Sequence, residues 1–262
     1  MKALVKLGGT LLDAPDSRAR LAAELTAAAR EGTELVVVHG GGKQMTRYLA
    51  ERGIESRFVN GLRVTTPETI DAVLKVFAGS VNHELVAALV AAGAQAVGLS
   101  GIDACLAEAE PLDPALGAVG RVARVNPGLL HLLTGSGYMP VVACVAGDRQ
   151  GRGYNVNADQ MAVACAAAFG AGILLFLTDV PGVMNAEREV IPELTAAECD
   201  RLIAQGIATG GMQAKLNAAS EAVRRGVGRV LIAPGSVSAV IRKALDNQSV
   251  GTSLVLGAVQ DA

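Results

Sequence analysis

Apolar residues along this chain fall into short runs, separated by longer segments in which they recur every three or four positions. The runs predict strands at Lys2–Leu7, Leu35–His39, Ala96–Leu99, Met139–Ala143, Ile173–Leu177, Arg229–Ile232 and Ser253–Leu256. A run such as Leu35-Val36-Val37-Val38, with no polar alternation, requires a sheet covered on both faces. The helical spacing predicts helices from Asp16 or Ser17 to Arg30, from Lys43 to Leu49, and from Pro67 to about Ala92, the last in two pieces joined near Gly79-Ser80. Thr66 caps that helix and Pro67 takes its first position, where a missing N–H costs nothing. Further helices are expected from Pro127 to about Ser136, from Asn157 or Ala158 to Gly170, and over Ala196–Gln205, Met212–Arg225 and Ser238–Leu245.

Two stretches leave this alternation. Glu55–Thr65 reads as a hairpin, Arg57-Phe58-Val59 against Leu62-Arg63-Val64, turning at Asn60-Gly61. Residues 104–126 alternate weakly around Gly117 and Gly120 and suggest hairpin strands outside the main sheet, and Gly147–Gly153 reads as a polar loop. Strands alternating with helices over the whole length give an α/β fold with a largely parallel sheet, whose ligands belong at the carboxyl ends of the strands.

Composition narrows the picture. The 262 residues are 51% hydrophobic but only 3% aromatic, with no Trp, so the core must be built from Ala, Val, Leu and Ile. A net charge of −2 and a pI of about 6.0 give no electrostatic case for nucleic acid or an anionic membrane. Met161–Leu177 holds only apolar residues and glycine, close to the length of a membrane span. Gly170 and Gly172 break it and Asp159 and Asp179 bound it, so a buried helix followed by a buried strand is expected instead. The N-terminus enters Ala3-Leu4-Val5 without the pattern of a signal peptide. Cys105, Cys144, Cys165 and Cys199 show no metal-ligand spacing and read as buried hydrophobes of a reducing, cytoplasmic protein.

Chemistry concentrates where strands end. Gly8-Gly9, Gly40-Gly41-Gly42, Ser100-Gly101, Thr178-Asp179 and Ala233-Pro234-Gly235 form a common rim of small residues, suited to a ligand approached by backbone N–H groups. Three familiar readings fail. Gly42-Lys43 lacks the Ser/Thr of a P-loop, no GxGxxG follows the first strand, and His39-Gly40-Gly41-Gly42 has no GxSxG nucleophile to serve. Lys6, inside an apolar strand, needs a partner if buried. Asn157 and Asp159 open an apolar helix as a cap and a dipole-facing acid, and Asp159 can also order cationic side chains around a transferring phosphoryl group. His39, His83 and His131 show no ligand spacing and read as structural.

Taken together, Lys6-Leu7-Gly8-Gly9, Val38-His39-Gly40-Gly41-Gly42, Asn60-Gly61-Leu62-Arg63-Val64-Thr65, Gly98-Leu99-Ser100-Gly101, Asn155-Val156-Asn157-Ala158-Asp159, Leu177-Thr178-Asp179-Val180-Pro181-Gly182-Val183 and Gly210-Gly211-Met212-Gln213-Ala214-Lys215 resemble, in this order, the amino acid kinase family. The resemblance spans nearly the whole chain. It implies an open, mainly parallel eight-stranded sheet between helices, with residues 1–171 as an acyl amino acid and dimerisation lobe and residues 172–262 as an ATP lobe. The implied reaction carries the γ-phosphoryl group of ATP to the side-chain carboxylate of N-acetyl-L-glutamate, as in arginine biosynthesis. The longer N-acyl-2-aminoadipate and a non-catalytic nucleotide-binding role are the alternatives.

The site residues that the resemblance implies follow motif by motif. Lys6 and Lys215 are the cations on the transferring group, Gly9 and Gly41 its N–H donors, and Asp159 the residue that orients the lysines. Arg63 grips the substrate α-carboxylate with Asn155 and the backbone of Gly41-Gly42. Thr178-Asp179-Val180 and Gly210-Gly211-Met212 line the nucleotide, with Lys6 and Lys215 reaching its phosphates, and Mg²⁺ is held mainly by ATP itself. Gln213-Ala214 departs from the apolar pair common at that place. Starting directly at the first strand, the chain is expected to form a homodimer insensitive to arginine.

Overall fold

The computed structural model describes residues 1–255. Leu256, the last residue of the expected final strand, and the end of the 172–262 segment lie outside the described residues. The chain begins with β1 (Lys2–Leu7), α1 (Gly9–Asp13), α2 (Pro15–Arg30), β2 (Glu34–His39) and α3 (Gly42–Ala50). A ribbon of β3 (Phe58–Val59) and β4 (Leu62–Arg63) turns through Asn60 and Gly61, both at positive φ. That is the conformation for which the Asn-Gly pair is suited. A long helix follows, made of α4 (Pro67–Val73), a π-helical stretch Leu74–Val81 and α5 (Asn82–Ala91). Then come β5 (Ala96–Ser100), β6 (Ala107–Pro111), β7 (Val119–Val125), α6 (Pro127–Gly135), β8 (Met139–Ala143), β9 (Val145–Gly147) and β10 (Gly153–Val156). The last third holds α7 (Ala158–Phe169), β11 (Ile173–Thr178), β12 (Glu193–Thr195), α8 (Ala196–Ala204), α9 (Gly210–Arg224), β13 (Arg229–Pro234), α10 (Val240–Leu245) and β14 (Thr252–Val255).

Eight strands make one sheet in the order β12-β14-β13-β11-β1-β2-β8-β5, parallel throughout except where β14 runs against β13. The expected open, mainly parallel eight-stranded sheet is therefore present. β1 lies at its centre with β2 on one side and β11 on the other, Lys6 standing opposite Val38 and Phe176. Ala3, Leu4, Val5 and Leu7 are fully buried, as are Val36, Val37 and Val38. Helices on both faces achieve this, and it explains why these strands carry no polar alternation. The apolar run Met161–Leu177 divides, as expected, into the buried face of α7 and the wholly buried β11.

Several features differ from the sequence reading, among them Cys105, expected to be buried like Cys144, Cys165 and Cys199 but in fact exposed. Residues 104–126 do leave the main sheet, but β9 and β10 join them to close a small barrel in the order β10-β7-β6-β9. Strands of three and four residues carry too little alternation to be recognised, and the same holds for β12. Gly8-Gly9 leads straight into α1, and α2 then starts at Pro15 rather than Asp16, with no side-chain cap on Ala14. Finally, Gly79-Ser80 does not interrupt the long helix: the Asn82 N–H reaches back to the Phe77 carbonyl and the helix continues through a wider turn. Among the described residues, Pro67–Ala91 is the one helix long and apolar enough, by length and composition, to cross a membrane. Less than half of its apolar window is buried, and Leu74 and Val90 are exposed.

Candidate active site

Because β1, β2, β8 and β11 are parallel, their carboxyl ends share one edge of the sheet, and the glycine turns after β1 and β2 lie side by side there. A Cβ on Gly9 would stand 3.2 Å from the Gly42 nitrogen. Gly41 is pressed from the other side: a Cβ there would stand 2.9 Å from Phe77 Cδ1 and 3.2 Å from Val81 Cγ2. The constraint at Gly41 is space, since its φ of −176° is ordinary extended backbone. Both Phe77 and Val81 belong to the π-helical stretch.

These turns floor a cavity of about 220 Å³. Lys6, Gly9, Gly41, Gly42, Arg63 and Asn155 line it, and so do Phe58, Phe77, Val119 and Cys144. The N-termini of α3 and α7 open onto the same space through Gly42 and Ala158, adding two positive dipole ends. A larger and more open hollow of about 430 Å³ lies among Tyr48, Arg52, Glu68 and Lys75. It gathers none of the residues singled out from the sequence, so size alone does not mark the chemistry.

The charged centre is a buried triad. Lys6 Nζ stands 2.7 Å from Asp159 Oδ1, and Lys215 Nζ donates to Asp159 Oδ2 at 3.1 Å. Lys6 and Asp159 are 8% and 7% exposed, so each needs the other. Burial alone would raise the Asp159 pKa, but the charges of Lys6 and then Lys215 outweigh it, holding the carboxyl below the usual range. Two cations thus converge on one anion and leave net positive charge beside the glycine turns. Asn157 caps α7, its Oδ1 accepting from the N–H groups of Asp159 and Gln160, and this fixes where Asp159 starts. The capping and the ion-ordering readings of this segment are compatible.

Arg63 is the second centre. It is 8% exposed, donates to Thr46 Oγ1 at 2.8 Å and to the Gly42 carbonyl at 3.3 Å, and lies 4.6 Å over the Phe58 ring. Burial lowers its pKa. No carboxylate pairs with it among the described residues, so a buried guanidinium faces the cavity without a counter-charge. Asn155 Nδ2 donates to Thr65 Oγ1 at 3.0 Å, and that hydroxyl donates to the Arg63 carbonyl at 2.9 Å. The Asn60–Thr65 and Asn155–Asp159 motifs are therefore in direct contact.

The remaining residues singled out from the sequence stand apart from this cavity. Thr178 ends β11 with its hydroxyl donating to Asp179 at 3.2 Å, and Val180 follows in the loop. Gly210, Gly211 and Met212 form the first turn of α9, which carries Lys215. Val119, Cys144 and Phe77 are lining residues that the sequence did not reveal. The Cys144 thiol is fully buried and its pKa is pushed up to about 12, so it lines the cavity as an inert group.

His39 is buried and its pKa is lowered from 6.5 to about 4 by burial. A histidine depressed in the folded state contributes its full stability above 6.5 and loses it as pH falls towards 4, about 3 kcal/mol over that window. Asp159, also depressed, adds a loss only below the ordinary carboxylate range. Urea midpoints are expected to fall between pH 7 and pH 5; identical midpoints at the two values would contradict this.

The sequence pattern of the amino acid kinase family matches residues 1–234. Over 255 residues, 97% of this chain and 99% of the relative, the sequence is 68% identical to an acetylglutamate kinase of Solibacter usitatus. An acetylglutamate kinase of Koribacter versatilis is 42% identical over 258 residues, 97% of this chain and 99% of its own. Among solved structures, N-acetylglutamate synthase from Neisseria gonorrhoeae, complexed with coenzyme A and N-acetyl-glutamate, superimposes with a TM-score of 0.88. At 24% identity it covers 98% of this chain, which spans 60% of that longer protein, and it speaks for the fold alone.

Proposed function

The chain belongs to the amino acid kinase family, and from that premise we propose that it transfers the γ-phosphoryl group of ATP to the side-chain carboxylate of N-acetyl-L-glutamate. The products are N-acetyl-L-glutamyl 5-phosphate and ADP, a step of arginine biosynthesis. The observation that carries the reading is the buried Lys6–Asp159–Lys215 triad beside an arginine-lined cavity at the carboxyl edge of the sheet.

A carboxylate oxygen attacks the γ-phosphorus as the bond to the ADP oxygen breaks. The nucleophile is already ionised near neutral pH, so no general base is required, and the cavity supplies none. The obstacle is repulsion between carboxylate and phosphate. Lys6 and Lys215 neutralise it, and the N–H groups of Gly9 and Gly41 meet the charge that builds up in flight. Asp159 pairs with both ammonium groups and aims them. Arg63 and Asn155, with the backbone of Gly41-Gly42, hold the α-carboxylate end of the acceptor; the uncompensated guanidinium supports this. Thr178, Asp179, Val180, Gly210, Gly211 and Met212 border the nucleotide, supported by their position with Lys215 at the β11 and α9 ends.

Among the described residues no three His, Cys, Asp or Glu side chains gather to hold a metal ion. Mg²⁺ would be held mainly by the ATP phosphates, where it would add to the charge neutralisation. Residues 1–171 then carry the acceptor and residues 172–262 the nucleotide. The exposed apolar residues of the α4–α5 helix support a homodimer contact there, in a cytoplasmic enzyme.

Steady-state ADP production with N-acetyl-L-glutamate, against N-acetyl-aminoadipate, glutamate, aspartate and carbamate, tests the reading. Acetylglutamate is expected to be preferred over its one-methylene homologue by about 10- to 200-fold in kcat/KM. ATP binding with no turnover of any acceptor would overturn it. Arg63→Leu is expected to raise the KM for the acyl amino acid at least about tenfold while the KM for ATP stays put. An equal rise in both would remove Arg63 from the acceptor end.

A further inference from the structure

His39 does not line the cavity, yet a chain of hydrogen bonds ties it to the peptide that does. Asn82, 1% exposed at the start of α5, has its Nδ2 2.9 Å from the Val141 carbonyl oxygen and 3.0 Å from His39 Nε2. The carbonyl can only accept, so it fixes which end of the Asn82 amide faces it. Nδ2 then donates to His39 Nε2 as well, and Nε2 must be the unprotonated nitrogen. The proton is on Nδ1, which donates to the Gly40 carbonyl oxygen at 2.9 Å. The low pKa of the buried ring keeps it neutral at physiological pH, so this tautomer persists.

In a trans peptide, the carbonyl of one residue and the N–H of the next point in opposite directions. Pinning the Gly40 carbonyl to His39 therefore turns the Gly41 N–H away from the imidazole, and Gly41 lines the cavity. Without that pin, a peptide between two glycines has little steric reason to hold one orientation. We propose that His39 is a positioning residue for phosphoryl transfer: the relay Val141–Asn82–His39–Gly40 locks the Gly40–Gly41 peptide so that its N–H meets the transferring group. The inference rests on the phosphoryl-transfer reading above. It assigns no proton transfer to the imidazole.

A matched pair of variants separates this role from simple core packing. An asparagine amide nitrogen falls near the place of Nδ1 and can still donate to the Gly40 carbonyl; a glutamine amide falls near Nε2 and cannot. His39→Gln is expected to lower kcat by about 100-fold, the scale of a lost N–H donor, with the KM for ATP unchanged. His39→Asn is expected to recover at least about tenfold of that loss. Equal kcat in the two folded variants, or wild-type kcat in His39→Gln, overturns the proposal while leaving the kinase reading intact. A wild-type protein with no turnover sinks both.

Should His39→Gln fail to fold, Gly98→Ala decides from the other end of the relay. A Cβ at position 98 would stand 2.0 Å from Asn82 Oδ1 and displace that side chain from His39. A several-fold fall in kcat at constant ATP KM upholds the role, and unchanged kcat refutes it.

Discussion

Lys215→Ala is expected to lower kcat by about 10³-fold while the protein stays folded. The ammonium group donates to Asp159 Oδ2 from the second turn of α9, so its removal takes away one of two cations at the centre. Its effect falls on the transition state, where charge spreads over the transferring oxygens, more than on ground-state binding. kcat should therefore fall much further than the KM values rise. Folding should survive, because Asp159 keeps Lys6 at 2.7 Å and no charge is left stranded. Circular dichroism and a thermal melt check the fold, and single-turnover ADP release checks the step. A variant with near-normal turnover removes Lys215 from the chemistry.

Asp159→Asn acts in the opposite sense, leaving cations without their anion. Lys6, 8% exposed, then sits near Lys215 with no counter-charge, a loss of about 3–5 kcal/mol for breaking a buried pair. Loss of aim on both lysines should also take kcat down by about 10²-fold or more. A thermal melt reads the stability loss, and an unchanged melting temperature would show that the carboxylate does not hold the two ammonium groups in place.

The sheet was legible because its strands are buried on both faces, which writes unbroken runs such as Leu35–Val38 into the chain. The triad was legible for a related reason: a lysine inside an apolar strand and an acid at the head of an apolar helix both stand out. What escaped notice lacks any local signal. The barrel depends on β9 and β10, whose few residues pair only because β6 and β7 are beside them. The π-helical stretch places Phe77 and Val81 against Gly41, and nothing in Leu74–Val81 announces a wider turn. Asn82 drew no reading from the sequence, because its meaning lies in Val141 and His39, far away along the chain.

The place of β1 has a consequence for how the protein is made. Its partner β2 follows at once, but its other partner, β11, ends only at Thr178. At ribosomal rates of about 5–20 residues per second, one side of the central strand waits roughly ten seconds or more for its neighbour. An open strand edge is a template for pairing with other chains, and a lysine on such an edge discourages it. Lys6 lies on that temporary edge, and by the same reasoning its charge would disfavour pairing with neighbouring chains during synthesis.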